Sequence, residues 1–178
     1  MKQPFFFIYL LFFSALVTST SAQEAVQPRP SPLAVTAIRY KDAYLKITYS
    51  QPQKRGREIF GKLVPYGEVW RTGANEATEL LTTKNIQING TLLKAGVYSL
   101  FTIPQKDKWT IIINSEVGLW GAYNYNSKLD VMRFEIPVMP TDVVYESFTV
   151  KLDNRNEVAD LLLYWDKIKI SIPVKFIN

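Results

Sequence analysis

The stretch IQINGTLL, residues 86–93, decides the fold class. Its central pair, Asn89-Gly90, favours the two left-handed positions of a type I′ turn, and the twist of that turn matches the twist of two antiparallel strands. The residues on either side of the pair are mostly apolar or β-branched, as strands prefer. Residues 86–93 therefore predict a tight β-hairpin, with strands at 86–88 and 91–93.

Short runs of the same kind continue in both directions along the chain. They alternate with a period of two residues and are separated by turn residues, a pattern typical of strands with one buried face. Pro137, within one of these runs, indicates an edge strand. The further predicted strands cover residues 34–40, 44–49, 77–82, 97–103, 109–113, 131–138, 143–152, 158–165 and 168–176. About ten strands predict an all-β fold, an antiparallel β-sandwich that is either jelly-roll-like or a partly closed barrel.

Two long segments do not follow this rhythm, residues 51–76 and residues 115–128. Loops longer than about 12–15 residues are uncommon in compact domains and are often functional. Both segments are rich in aromatic residues, so we expect them to be ordered and to lie outside the sheets. They can also meet at one end of the sandwich and form a single pocket.

The N-terminus predicts export. A basic Lys2 precedes an apolar run at residues 5–17, and Thr20-Ser21-Ala22 fits a small-residue cleavage site. This layout is typical of a secretory signal peptide, and the run is shorter than the roughly 20 residues that span a bilayer. We expect a signal peptide at residues 1–22, a Pro-rich tether at 23–32 and one β-sandwich domain at 33–178. The expected location is periplasmic or extracellular, with no integral membrane segment after cleavage.

The absence of histidine and cysteine restricts the chemistry. Without these residues there is no Ser–His or Cys–His nucleophile pair, and no zinc, copper or iron site built on imidazole or thiolate ligands. The net charge of +5 is spread along the chain and forms no basic stripe, so we do not expect nucleic acid as a partner. We expect no cofactor and no metal.

Four stretches carry a resemblance to a known family: GREIFG (56–61), LVPYGEVWRTGANEAT (63–78), AGVYSLFTIP (95–104) and WGAY (120–123). In these the chain, from about residue 31 to its C-terminus, resembles the exported bacterial proteins catalogued as domain of unknown function 2911. The resemblance implies export and a β-rich domain. It implies no activity, ligand or catalytic residue.

Candidate ligand-binding residues lie in the two long segments. They combine arginines, an asparagine amide and Trp or Tyr rings. Such groups bind carboxylates, sulfates or sugars. The alternative is that the aromatics close one end of the sandwich while the charged groups pair with each other, since structural ion-pair networks resemble sites. The candidates are Arg57, Trp70, Arg71, Asn75, Trp120 and Tyr123.

Glu58, Glu68 and Glu76 are the candidate catalytic residues. A glycosidase needs two carboxyl groups about 5–10 Å apart. Any loop with three glutamates offers such a pair, so the pattern has low specificity. The leading interpretation is a binding module for a small molecule or glycan rather than an enzyme. The alternatives are a carboxylate-dependent hydrolase of glycans or envelope material, and a structural or assembly protein without a ligand. The sequence leaves the oligomeric state open.

Overall fold

The structure, a computed structural model, describes residues 27–177. Ten strands form two antiparallel sheets and no α-helix occurs within these residues. The strands are β1 (Leu33–Tyr40), β2 (Ala43–Ser50), β3 (Ala74–Thr82), β4 (Ile86–Ile88), β5 (Thr91–Leu93), β6 (Gly96–Pro104), β7 (Lys108–Asn114), β8 (Asp130–Pro137), β9 (Met139–Arg155) and β10 (Val158–Phe176). In the described part of the chain, no helix is long and apolar enough to cross a membrane.

The larger sheet has six strands in the order β1-β2-β3-β6-β7-β8. Neighbours in this sheet follow chain order, except that β4 and β5 leave it between β3 and β6. The strand containing Pro137 lies at an edge, as predicted. The strands do not alternate between sheets as in a jelly roll, and the sheets do not close into a barrel. The predicted β-sandwich is confirmed in this open form.

The smaller sheet has four strands in the order β5-β4-β10-β9. Its hairpin between β4 and β5 turns at Asn89 and Gly90, whose φ angles of 47° and 77° are both left-handed. This confirms the turn predicted from residues 86–93. The hairpin joins the sheet through pairing of Ile88 with Val174.

The last two predicted strands, residues 158–165 and 168–176, form one continuous strand in the structure. The prediction placed a break between residues 165 and 168, but β10 runs continuously from Val158 to Phe176. Asp166 has a φ of 53°, and the pairing with β9 shifts register on both sides of it. A β-bulge admits an extra residue without ending the strand, and it interrupts the alternation that the prediction followed.

The core lies between the two sheets, where alternate residues of the strands face inward. Every second residue of β2 is buried, and the same alternation runs through both halves of β10. The largest buried side chains include Trp109, Phe148 and Ile47. Burying one face of each sheet is the main stabilisation that such a sandwich has.

The two long segments lie outside the regular strand pairing, with one correction. β3 begins at Ala74 and not at residue 77, so the first long segment is residues 51–73. Its pairing with strands is limited to isolated bridges, such as the one between Trp70 and Thr102, and to single hydrogen bonds. The second long segment, residues 115–128, runs into a 3-10 turn at Ser127–Leu129.

The predicted signal peptide lies outside the described residues. The described part of the predicted tether begins at residue 27 and contacts the domain. The Pro32 carbonyl accepts a hydrogen bond from the Gln51 amide at 2.8 Å. The carbonyl of Pro30 accepts one from the guanidinium of Arg55 at 3.1 Å. These hydrogen bonds therefore hold this part of the chain against the start of the first long segment.

Candidate functional site

A cavity of about 440 Å³ opens where the two long segments meet. It has aromatic and proline walls together with three charged side chains. The lining residues are Ser31, Pro52, Arg57, Leu63, Val64, Pro65, Glu68, Val69, Trp70, Arg71, Gly73, Ala74, Tyr123 and Trp165. Its volume lies within the range of about 300–1,000 Å³ typical of small-molecule sites.

The first long segment contributes an apolar layer beneath the cavity. Ile59, Phe60 and Val64 are buried in the main core. Gly61 allows the turn that directs them inward, because its φ is 89° and its amide donates to the Val64 carbonyl at 2.8 Å. The aromatic content of this segment therefore serves packing first.

Trp70 is a core residue with one edge at the cavity. Its ring stacks on Trp165 at 5.8 Å with an interplanar angle of 17°, and meets Phe148 edge-on at 5.1 Å. Its Nε1 donates to the Gly73 carbonyl at 3.0 Å. The indole is therefore packed and hydrogen-bonded by the protein, and it offers a ligand only an apolar edge.

Arg71 is different, because its guanidinium is not satisfied by the protein. Its Nε is buried and has no hydrogen-bond partner, and Arg71 forms no ion pair within residues 27–177. More than nine in ten buried polar groups in proteins do have a partner. Among the described residues the other such atom is Nε1 of Trp109, which lies in the core and does not line the cavity.

Buried hydroxyl groups fix the backbone next to Arg71. Thr72 has a φ of 55°, which is unusual for a β-branched residue, and it is fully buried. Its hydroxyl donates to the Thr102 hydroxyl at 3.1 Å, and its carbonyl accepts from the Thr78 hydroxyl at 2.7 Å. The Arg71 carbonyl accepts from the Thr78 amide at 3.1 Å. A strained residue held by so many contacts indicates that the direction of the Arg71 side chain is set in advance.

Arg57 lines the same cavity but its hydrogen bonds are used locally. Its Nε donates to the Lys54 carbonyl at 3.0 Å, and its Nη2 donates to the Gln53 carbonyl at 2.6 Å. Since carbonyls are neutral, Arg57 still gives the cavity a positive charge. Its geometry, however, is that of a residue that holds the loop.

Glu68 lines the cavity from a fixed stretch of backbone. The Gly67 amide donates to the Pro104 carbonyl at 2.9 Å, and the Trp70 amide donates to the Thr102 carbonyl at 2.7 Å. The Glu68 carboxylate forms no hydrogen bond or ion pair with any described residue. It pairs with neither of the two arginines at the same cavity.

The second long segment lies along the start of β3 and delivers Tyr123. The Ala77 amide donates to the Leu119 carbonyl, and the Gly121 amide donates to the Asn75 carbonyl, both at 2.9 Å. Gly121 has a φ of 72°, and a Cβ there would lie 2.9 Å from the Tyr123 ring and 3.3 Å from Nη1 of Arg71. The missing side chain therefore lets both groups come close to the backbone.

Exposure separates the two aromatic candidates of this segment from Trp70. Tyr123 is 82% exposed and Trp120 is 59% exposed. Tyr123 stands at the cavity, whereas Trp120 does not line it. Trp120 instead forms an isolated bridge with Glu76.

An ionic cluster holds the far end of the second long segment. The Tyr125 hydroxyl donates to Asp130 at 2.7 Å, and Arg133 donates to both of them at 2.6 and 2.8 Å. Burial, followed by the Asp130 carboxylate, raises the pKa of Tyr125 to about 12. The cluster is internally satisfied and does not line the cavity, which indicates a structural role.

Asn75 and Glu76 are both used to hold the residues that precede β1. The Asn75 amide donates to the Ser31 carbonyl at 3.4 Å. Glu76 accepts from Arg29 at 2.7 Å and from the Ser50 hydroxyl at 3.2 Å. A hydrogen bond from its own backbone amide, followed by the Arg29 and Ser50 donors, holds the pKa of Glu76 below its usual value. Neither side chain lines the cavity.

The three candidate glutamates lie in different surroundings. Glu68 lines the cavity with Arg71, Glu76 lines a separate one of about 200 Å³, and Glu58 lines neither. None of the three candidate glutamates therefore shares a cavity with another. The second carboxylate at the smaller cavity, Glu79, accepts a hydrogen bond from the Gly118 amide at 3.1 Å. No group of three or more Asp or Glu side chains suited to a metal ion occurs among residues 27–177.

The sequence interpretation did not identify two of the residues that form the walls of the cavity, Trp165 and Pro52. Trp165 was predicted as part of a strand and belongs to β10. Pro52 was placed in the first long segment, but it was not named as a candidate. The one available signal was the interrupted alternation at residues 165–168, since bulges occur next to functional sites.

Comparison with known proteins gives a family and no activity. No curated protein and no solved structure matches the chain. A family model, described as "Protein of unknown function (DUF2911)", matches residues 31–174 and so nearly the whole of the sandwich. With a match of that length over the fold described above, the chain belongs to the DUF2911 family.

Proposed function

We propose that this chain is an exported binding module that holds a small organic molecule or a glycan unit through an anionic group, a carboxylate above all. The ligand lies in the cavity between the two long segments, and its anion contacts the Arg71 guanidinium. Export rests on the signal-like residues 1–22. N-terminal sequencing of the protein recovered outside the cytoplasm checks it, with a mature chain expected to begin at Gln23.

The buried, unpartnered Nε of Arg71 is the observation that carries the proposal. Leaving a buried donor unsatisfied costs about 1–3 kcal/mol, more when the group is charged. A guanidinium presents its donors as a planar fork that fits a carboxylate through two parallel hydrogen bonds. A carboxylate bound at Arg71 would remove that cost.

The walls of the cavity support an organic ligand over a bare inorganic anion. Pro52, Pro65 and the edges of Trp70 and Trp165 are apolar, and Tyr123 adds an exposed ring at the same place. Such surfaces stack well on sugar rings and other flat ligands. The hydrolase alternative gains no comparable support, because its candidate glutamates lie apart.

Calorimetric titration with matched ligand pairs tests the proposal. Benzoate is compared with benzamide, and glucuronate with glucose, so that each pair differs in the negative charge. We expect at least one carboxylate to bind and its neutral partner to bind more weakly. Arg71→Gln should weaken carboxylate binding by about tenfold or more, since charged hydrogen bonds contribute about 1.5–3 kcal/mol.

Arg39→Gln is the matched control, because it removes the same charge from exposed β1, away from the cavity. It should leave carboxylate binding unchanged. Arg71→Lys keeps the charge without the planar fork and should fall between wild type and Arg71→Gln. The proposal is wrong if neither carboxylate binds, or if Arg71→Gln binds carboxylates as tightly as the wild type does.

A further inference from the structure

We infer that the ligand is a zwitterion, with an ammonium group for Glu68 as well as a carboxylate for Arg71. This inference rests on the proposed function and narrows the ligand to amino-acid-like molecules. Two charged groups of opposite sign line one cavity, and neither has an ionic partner within residues 27–177.

The backbone explains why Glu68 and Arg71 do not neutralise each other. Hydrogen bonds from Gly67 to Pro104 and from Trp70 to Thr102 fix the intervening chain along the end of β6. Three residues span at most about 11 Å when extended. The Cα atoms of Glu68 and Arg71 are therefore no farther apart than this, and both side chains line the cavity.

The other cation of the cavity does not compete for Glu68. Arg57 directs its guanidinium to the carbonyls of Lys54 and Gln53 and forms no ion pair in the described chain. Within residues 27–177 the Glu68 carboxylate therefore has no protein donor, and the buried Nε of Arg71 has no protein acceptor. The two groups carry opposite charges. A molecule with an ammonium and a carboxylate supplies both missing partners at once.

The volume and walls of the cavity limit the rest of the ligand. About 440 Å³ accommodates a single ring with its substituents. Since Pro52, Pro65 and the two packed indoles are apolar, an aromatic or aliphatic side chain on the ligand would contact them.

Three related probes test the inference by calorimetric titration: L-phenylalanine, 3-phenylpropionate, which lacks the ammonium, and phenethylamine, which lacks the carboxylate. We expect the wild type to bind phenylalanine about three- to tenfold more tightly than phenylpropionate, because an ion pair at an exposed carboxylate contributes modestly. Phenethylamine should bind most weakly.

Glu68→Gln should abolish the preference for phenylalanine and leave phenylpropionate binding equal or tighter. Glu58→Gln, an exposed glutamate of the same segment that does not line the cavity, should change neither affinity. Arg71→Gln should weaken both acids together. If Glu68→Gln keeps the preference, or the wild type binds both acids equally, the inference is wrong while the proposed function stands. If neither acid binds the wild type while benzoate or glucuronate does, the inference is wrong alone. If none of these carboxylates binds, the proposed function is wrong as well.

Discussion

The two long segments, residues 51–73 and 115–128, both contain glycines among aromatic residues, but they differ in what they bury. In the first segment Ile59, Phe60 and Trp70 belong to the main core. In the second, Trp120 and Tyr123 are largely exposed. Aromatic content therefore does not distinguish a packing loop from a surface loop, and the contact with the opposite sheet decides between them.

The cavity combines one contribution from each kind of segment. The first segment, held by the core, supplies the directed charges of Arg71 and Glu68. The second supplies the exposed Tyr123 ring and, through Gly121, the space in which that ring approaches Arg71. Small-molecule sites typically combine a few placed polar or charged groups with apolar and aromatic walls, and the two segments supply these parts separately.

The largest expected effect distinguishes the two tryptophans. Trp70→Ala should lower the free energy of unfolding by about 3–5 kcal/mol, because it empties a buried site among four other aromatic rings. Trp120→Ala should change it by no more than about 0.5 kcal/mol, as expected of an exposed side chain. Denaturant unfolding measures both. Equal losses would remove the distinction between the segments.

A smaller effect is expected from filling the space at Gly121. Gly121→Ala should destabilise the protein by about 1–3 kcal/mol, because its φ is 72° and the added Cβ would press on the Tyr123 ring. Gly118→Ala is the control in the same segment, with a φ of 70° and nothing within 4 Å of the added atom.

Both variants place an alanine in a left-handed backbone conformation. The difference between their stabilities therefore reports the crowding of the added Cβ at residue 121. Thermal unfolding should therefore show Gly121→Ala melting below Gly118→Ala. If the two variants have the same melting temperature, the close approach of Tyr123 and Arg71 to this backbone does not add to the destabilisation.

Much of the fold was predictable, because strands leave a local signal. Asn89-Gly90 predicted its hairpin correctly, and the period of two residues placed most strand centres. The continuity of β10 was missed, since a bulge at Asp166 interrupts alternation just as a loop does. The early start of β3 at Ala74 was missed because Gly73 and Asn75 are typical of loops.

The site was predictable only in part. The sequence indicated both arginines that line the cavity, but it did not distinguish Arg57 from Arg71. That distinction depends on whether carbonyl groups lie within reach of each guanidinium, and Lys54 and Gln53 provide them only for Arg57. The path of an irregular loop sets this, and no periodic pattern encodes it.

The contribution of Tyr125, in the second long segment, to the stability of the protein should decrease at alkaline pH. The pKa of Tyr125, raised to about 12 from 10.0 by burial and then by Asp130, means that folding favours the neutral phenol. This stabilisation is fully present below about pH 10 and is lost as the pH rises towards about 12. The difference in unfolding free energy between wild type and Tyr125→Phe should therefore shrink over this interval. A difference that stays constant with pH would contradict the account.

The smallest effect is expected at the start of β3, where acid should reduce the stabilisation that Glu76 provides. The pKa of Glu76 is lowered from 4.5, first by its own backbone amide and then by the Arg29 and Ser50 donors. Its stabilisation is present above about pH 4.5 and is lost as the pH falls through the lowered pKa. Glu76→Gln should melt closer to the wild type in acid than at neutral pH, and Arg29→Gln should reproduce only part of this change. A gap between wild type and Glu76→Gln that widens in acid would reverse the assignment.

Because β4 and β5 belong to the smaller sheet, they affect the order in which the strands can pair during folding. The larger sheet grows from neighbouring hairpins as the polypeptide emerges, whereas Ile86 and Ile88 find their partners only in the last residues of β10. Until Phe176 arrives, that hairpin has an unpaired edge and an uncovered apolar face.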